Sequence, residues 1–202
     1  MEIRALNKAQ MERVYYDHMK RAFPPSELKS LQVMERMRDS GRYEPLGMYD
    51  GERLVGYALM WLEPGVPFAL LDYLGTVKEE RGKGLGTALL ALLGEYYAPM
   101  RGIFGEAERD NSPDEQERAL QRRRLDFYLR NGFRYAGYDC ALFGVHYETL
   151  IRGAGDVSAQ ELLAVHQSMY QKQIPPQYYE RFIQLPLAPG EQPRPAVEWK
   201  EE

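Results

Sequence analysis

From residue 81 the chain reads Arg-Gly-Lys-Gly-Leu-Gly-Thr and then turns without a break into the apolar run Ala88-Leu-Leu-Ala-Leu-Leu93. Glycines let a ligand come close to the backbone, and the first turn of a helix carries N–H groups that no intrahelical carbonyl satisfies. Such a loop holds an anion, most simply a phosphate. Arg81 and Lys83 supply local positive charge to a chain whose formal net charge is -4. A solvated turn would account for the two cations but not for Gly82, Gly84 and Gly86.

Three phosphate-binding spacings compete for this stretch. A G-x-x-x-x-G-K-[ST] loop fails twice, because Gly82-Lys83 is followed by Gly84 and preceded five positions earlier by Val77. A dinucleotide fingerprint would use Gly82 and Gly84, and Glu106 stands about where an acidic ribose ligand is sought, but Thr87 occupies the third glycine's place. That motif also needs its strand to run straight into the turn, and Lys78-Glu79-Glu80-Arg81 intervenes. The remaining spacing is Arg81-x-x-Gly84-x-Gly86.

The elements around the loop follow from periodicity and turn residues. Met1 to Leu6 reads as a strand, and Asn7 caps a helix to about Arg21 with Met11, Val14, Tyr15 and His18 on one face. Ser26 opens a second helix to Arg38, stopped by Gly41. Strands 43–49 and 53–61 flank the hairpin signal Asp50-Gly51, and a third strand covers 67–77. A helix from Gly84 to about Ala98, a strand over 101–108, a helix over 114–131 and strands over 133–143 and 145–151 complete this part. The fold class is therefore α/β with a mixed, mostly antiparallel central sheet and helices on both faces. Ser158-Ala-Gln-Glu161 opens a further amphipathic helix bearing Leu162, Leu163, Val165 and Met169, and 175–185 forms a shorter one. That segment is expected to pack beside the sheet or against a second subunit, as in a homodimer.

The stretch LLDYLGTVKEERGKGLGTALLALL resembles the acetyl-CoA-binding motif of the GNAT N-acetyltransferases. RRRLDFYLRNGF, residues 122–133, resembles that family's late helix, which ends in an aromatic-Tyr-x-x-x-Gly-Phe sequence. The two motifs stand in the expected order with one strand between them, and the element order over 1–151 also matches. The resemblance implies a GNAT fold over 1–151; residues 152–202 lie outside it, and their own periodicity and composition give a C-terminal helical extension of the same domain over 152–185 and a Pro-rich, extended or disordered tail over 186–202. It implies acetyl-CoA as co-substrate, held by the backbone of Leu74, Gly75, Thr76 and Val77 and by Arg81, Gly82, Lys83, Gly84, Leu85, Gly86 and Thr87. Thr87 is equally readable as an ordinary helix residue.

The implied chemistry is direct attack of a primary amine on the thioester. With a lysine-like pKa of about 10.4, fewer than roughly one amine in a thousand is neutral at pH 7, so a base helps. The departing thiolate needs a proton. Tyr128 matches the family's general-acid position, and a core aromatic beside Phe127 is the plainer reading. Glu106 and Glu108 share one strand face and are the candidate bases, with salt bridging to Arg122–Arg124 as the alternative. Asp72 is a third candidate beside the acceptor. Glu27 follows Phe23-Pro-Pro-Ser, where the family often shapes its acceptor pocket, and could equally be a first-turn helix charge.

The remaining features set bounds. A chain of 202 residues, 44% hydrophobic, supports one sizeable core. Its acidic balance argues against a nucleic-acid or membrane-surface binder. The lone Cys140 forbids an intrachain disulfide, which with no apolar leader suits a cytoplasmic protein. His18, His146 and His166 lack a metal-ligand spacing, so no metal is expected. The function expected is transfer of acetyl from acetyl-CoA to a small-molecule amine or a peptide N-terminus. A non-catalytic acyl-CoA sensor of the same fold is the alternative, and a nicotinamide-dependent oxidoreductase is a more distant one.

Overall fold

The computed structural model describes residues 1–153 and 155–195. Its contacts divide into two compact units, one over Met1–Ile103 and the other beginning at Phe104. Among the described residues, helices and eight strands, mostly antiparallel in their pairings, make this an α/β chain.

In the first unit, strands β1 (Glu2–Ala5), β2 (Tyr43–Asp50), β3 (Arg53–Trp61) and β4 (Phe68–Thr76) pair antiparallel in chain order. Every residue of β3 from Val55 to Trp61 is buried, so this strand is the centre of the unit's core. Asp50 pairs with Arg53 across a turn in which Gly51 takes φ 62°, a value glycine adopts without steric cost.

The first helix is not continuous. Asn7 and Gln10 cap it reciprocally, α1 covers Lys8–Val14, and a wide π turn over Tyr15–Met19 leads into α2 (Lys20–Ala22). The wide turn sets the His18 ring over Tyr57, at 6.1 Å and 24° between planes.

The second helix, α3 (Leu31–Asp39), begins five residues later than Ser26, with Ser30 accepting from the Val33 N–H at 3.3 Å. A long-range partner explains the delay. The Tyr73 hydroxyl donates to the Glu27 carbonyl at 2.7 Å and accepts from the Lys29 N–H at 2.9 Å, engaging the backbone groups a helix start would use. Helix α4 (Leu85–Tyr96) buries Leu89, Leu90 and Leu93 and lies against β1, β3 and β4.

Strand β5 (Gly102–Glu108), which belongs to the second unit from Phe104 on, and β6 (Arg134–Leu142), β7 (Val145–Gly153) and β8 (Ile183–Gln184) are ordered β5-β7-β6-β8. Helix α5 (Glu115–Arg130) is capped by Asp114, which accepts from the Glu117 N–H at 2.8 Å. On β6 the register jumps between Tyr135 and Asp139, opposite Leu150 and Glu148, so residues 136–138 form a bulge around Gly137 at φ 93°. Helix α6 (Ala159–Gln173) packs on β6, and α7 (Pro176–Phe182) follows it. The buried stripe of α6 is Leu162, His166, Met169 and Tyr170, an i, i+4, i+7, i+8 set. Leu163 and Val165, expected on that face, are only partly covered.

Beyond β8 the chain runs to residue 195 without helix or strand. Leu187 N–H donates to the Asp139 carbonyl at 2.8 Å, and the Gln184 side chain bonds both Glu191 and the Arg194 backbone. Residues 196–202 of the expected tail lie outside the described residues. Among the described residues no helix is long and apolar enough to cross a membrane, and no group of His, Cys, Asp and Glu is arranged to hold a metal ion.

Candidate functional site

In the first unit the chain leaves β4, makes a short turn at Lys78–Glu80 and enters α4 through the glycines. Gly82 and Gly84 have φ values of 81° and 74°, and a Cβ built at either would meet nothing within 4 Å. Gly84 is the N-cap of α4 and offers no side-chain cap. Ala88 N–H donates to the Gly84 carbonyl at 3.2 Å and opens the helical ladder, so the N–H groups of Leu85, Gly86 and Thr87 precede it. The result is an open, uncapped helix start of the kind that suits an anion.

Its charges are arranged around a residue that motif spacing passes over. Glu80 is buried and receives Lys83 Nζ at 2.7 Å and the Arg53 guanidinium at 2.7 Å. The hydrogen bond from Lys83, with Arg53 beside it, holds the Glu80 carboxyl below its usual range. Part of the Lys83 charge is thus committed to bracing the loop, whereas Arg81 forms no ion pair among the described residues. The i, i+3 spacing of Glu80 and Lys83 was the available sequence signal.

Upstream, Leu74, Gly75 and Thr76 pair with Ala58, Tyr57 and Gly56, and Val77 N–H donates to the Val55 carbonyl at 3.1 Å. Asp72 sits where the β3–β4 register shifts, between Tyr73 opposite Leu59 and Leu71 opposite Met60. There it meets Lys29 Nζ at 2.7 and 3.0 Å and accepts from the Tyr43 hydroxyl, with both members of the ion pair about 5% exposed or less. Lys29 also lies 5.5 Å from the Trp61 ring and 5.4 Å from the Tyr73 ring. Asp72 is therefore bound into the core of its unit. Glu27 is half-buried, and its backbone is tied to Tyr73 and Pro24.

In the second unit Tyr128 sits near the end of α5, its ring edge-on to Phe127 at 5.3 Å and Phe133 at 5.4 Å. Its hydroxyl makes no hydrogen bond among the described residues, and burial pushes its pKa up to about 12, with Arg124 opposing. Glu108 is ion-paired with Arg124, and burial raises its carboxyl pKa against that partner. Glu106 accepts from His166 Nε2 at 2.7 Å and from the Tyr170 hydroxyl at 2.8 Å. The two glutamates share a strand face but have different partners.

Two polar groupings escaped motif reading. The first joins Glu106, fully buried His166 and Tyr138, whose hydroxyl is 3.1 Å from His166 Nδ1. The second couples Asp139 and Glu148, opposite each other on β6 and β7, bridged by Arg109, with His146 Nε2 3.0 Å from Asp139. Burial and the Asp139 charge push the Glu148 carboxyl up to about 7.

Residues 43–135 match the model of the acetyltransferase (GNAT) domain. A candidate acetyltransferase of Bacillus subtilis (strain 168), YjbC, is 31% identical over 122 residues, which are 60% of this chain and 57% of that protein. The match thus spans little more than half of that relative's length. Among solved structures, a candidate GNAT-family acetyltransferase from Bacteroides thetaiotaomicron aligns with a TM-score of 0.65 at 19% identity, over 84% of this chain and 96% of that one. The ribosomal-protein-S18-alanine N-acetyltransferase of Escherichia coli aligns at 0.57 and 15% identity, over 77% and 95%. The spermidine N-acetyltransferase of Vibrio cholerae, solved with CoA and spermine, aligns at 0.54 and 12% identity, over 74% and 92%. At these identities the structures speak for the fold. Both motifs lie inside the matched segment, so residues 43–135 are similar to the acetyltransferase (GNAT) domain in its two characteristic stretches as well as in fold.

Proposed function

We propose that this protein transfers the acetyl group of acetyl-CoA to a primary amine by direct attack on the thioester. One observation carries the reading: the helix start at Gly84, uncapped by any side chain and open above Gly82 and Gly84, on the Arg81-x-x-Gly84-x-Gly86 spacing. The N–H groups of Leu85, Gly86 and Thr87, with Arg81 and Lys83, would bind the coenzyme's pyrophosphate, and the backbone of Leu74–Val77 its pantetheine arm. The acceptor nitrogen forms a bond to the acetyl carbon, the C–S bond breaks, one proton leaves nitrogen and one reaches sulfur. Tyr128, whose hydroxyl makes no hydrogen bond among the described residues, is assigned the proton that sulfur receives.

The structural neighbours act on an alanine N-terminus and on spermidine, according to their names, and both acceptor types belong in the test. Calorimetry should give saturable acetyl-CoA binding, with no comparable binding of NAD. Acetyl-CoA consumption should then rise with at least one member of a panel holding spermidine, an alanine-ended peptide, aminoglycosides and free amino acids. Binding without turnover of any amine would favour an acyl-CoA sensor, and failure to bind acetyl-CoA would remove the reading altogether.

A further inference from the structure

We propose that Tyr57 is a coenzyme-binding residue whose hydroxyl donates a hydrogen bond to an amide carbonyl of the pantetheine arm as the arm passes Gly75. This rests on the acetyl-transfer reading and adds a side chain to a stretch, Leu74–Val77, to which that reading gives backbone contacts alone. No motif spacing reaches Tyr57, which stands inside β3.

The ring is fixed from two sides. Tyr57 is the register partner of Gly75 on β4, and a Cβ built at Gly75 would collide with the tyrosine's Cζ and its hydroxyl oxygen. The ring therefore reaches from β3 across β4 and sets its polar end over Gly75, a placement that the missing side chain permits. The wide π turn over Tyr15–Met19 brings the His18 ring onto it at 6.1 Å, with 24° between planes. Tyr57, His18, Gly75 and Arg81 all belong to the first unit.

The hydroxyl so placed has no partner among the described residues. Tyr57 is 1% exposed, yet it makes no hydrogen bond there. A buried tyrosine normally finds a partner for its O–H, because an unmet donor forfeits the bond that water gave it. The oxygen is not fully enclosed, so a ligand lying on β4 can supply that partner. Burial pushes the Tyr57 pKa up to about 12 against the nearby Arg81 charge, and the phenol accordingly keeps its proton and donates.

Position selects the arm and not the phosphates. Gly75 lies within β4, whereas the phosphates are assigned to the helix start at Gly84, beyond the turn at Lys78–Glu80. The arm is uncharged, and its amides lose water when they settle against a strand. An amide carbonyl left there without a donor would weaken binding, and a neutral phenol meets it without bringing in a charge.

The test uses the full chain and two probes, acetyl-CoA and phospho-ADP, which is coenzyme A without its arm. Tyr57→Phe removes one oxygen and keeps the ring beneath His18. The ligand-free variant should melt at or above the parent's temperature, because no bond inside the protein is lost. Acetyl-CoA affinity by calorimetry should fall about three- to tenfold, the range of one buried neutral hydrogen bond, while phospho-ADP affinity stays the same. Unchanged acetyl-CoA affinity overturns the assignment, and so does an equal loss for both probes, which would put the hydroxyl at the phosphates. A lower melting temperature of the ligand-free variant would give the hydroxyl a partner within the protein and overturn it likewise. A parent that binds no acetyl-CoA overturns it together with the acetyl-transfer reading.

Discussion

Gly75 and Tyr57 are register partners on β4 and β3, and the tyrosine ring lies so close that a Cβ at Gly75 would sit 2.2 Å from its Cζ. Tyr57 is 1% exposed and stacked by His18, so the ring has little room to retreat. Gly75→Ala should therefore destabilise the protein by about 1–3 kcal/mol through overpacking. Adding Tyr57→Leu should recover part of that loss, giving a coupling of opposite sign to the single effects in a denaturant double-mutant cycle. Equal, additive losses would mean that the ring moves freely.

The strands of this fold are legible because period-two burial and turn glycines are local signals. Asp50-Gly51 closes the hairpin where the sequence places it, and Asp114 caps α5 within a residue of the expected start. What was not legible depends on distant partners. Ser30 and not Ser26 caps α3 because Tyr73, more than forty residues away, takes the backbone groups of Glu27 and Lys29. His166 was hidden for a related reason. It occupies an i+4 position in an otherwise apolar stripe, and only the folded chain brings Glu106 and Tyr138 to its two nitrogens. Glycine inside β6 did carry a signal, since an interior strand glycine marks bulges and close approaches.

The buried Lys29–Asp72 pair distinguishes a structural carboxylate from a substrate ligand. Lys29→Met strips the charge partner from a carboxylate that is 4% exposed and held otherwise by Tyr43. Breaking one side of such a pair costs about 3–5 kcal/mol, and Lys29→Met with Asp72→Leu should restore much of it. Urea melts of the three proteins read the effect. A double variant that is stable and keeps its acceptor KM removes Asp72 from the substrate site.

At the coenzyme loop the sharp substitution is Gly84→Val. Open space surrounds the position, so the folding cost is that of a β-branched residue at φ 74°, about 1–2 kcal/mol. Binding should suffer more, because the side chain would take up the open space beside the uncapped helix start. Calorimetry should show at least about a tenfold loss of acetyl-CoA affinity in a folded variant, and unchanged affinity would move the coenzyme elsewhere.

Glu148 gives the protein a pH signature. Its folded pKa, pushed up to about 7, exceeds the ordinary value of 4.5, so the native state holds this proton more tightly than the unfolded chain does. Stability from this group is therefore full below about pH 4.5 and is lost as the pH rises toward about 7. Solvent screening of a partly exposed site reduces the effect to on the order of 1 kcal/mol. Glu148→Gln should flatten that part of the stability profile and leave the variant more stable than the parent above pH 7. Thermal melts between pH 4 and 8 check the slope, and parallel profiles for the two proteins would contradict the assignment.

Tyr128→Phe is the most direct test of the acid that serves the leaving thiolate. The hydroxyl has no hydrogen bond to lose among the described residues, and the ring's edge-on contacts with Phe127 and Phe133 survive the change. Stability and acetyl-CoA affinity should thus stay close to the parent's. The rate should fall by about 10²- to 10⁴-fold in kcat, the usual contribution of a positioned general acid. Because burial pushes the Tyr128 pKa up to about 12, the phenol stays protonated through the pH range of any assay. The deficit should therefore be constant between about pH 6 and 10, with no basic limb appearing or vanishing. An ordinary phenol of pKa about 10 would instead start to lose its proton, and the parent its advantage, at the upper end of that window. A core-only tyrosine gives a third pattern, with kcat within a few-fold of the parent at every pH. Steady-state rates for the two proteins on one amine, collected across that window, separate the three.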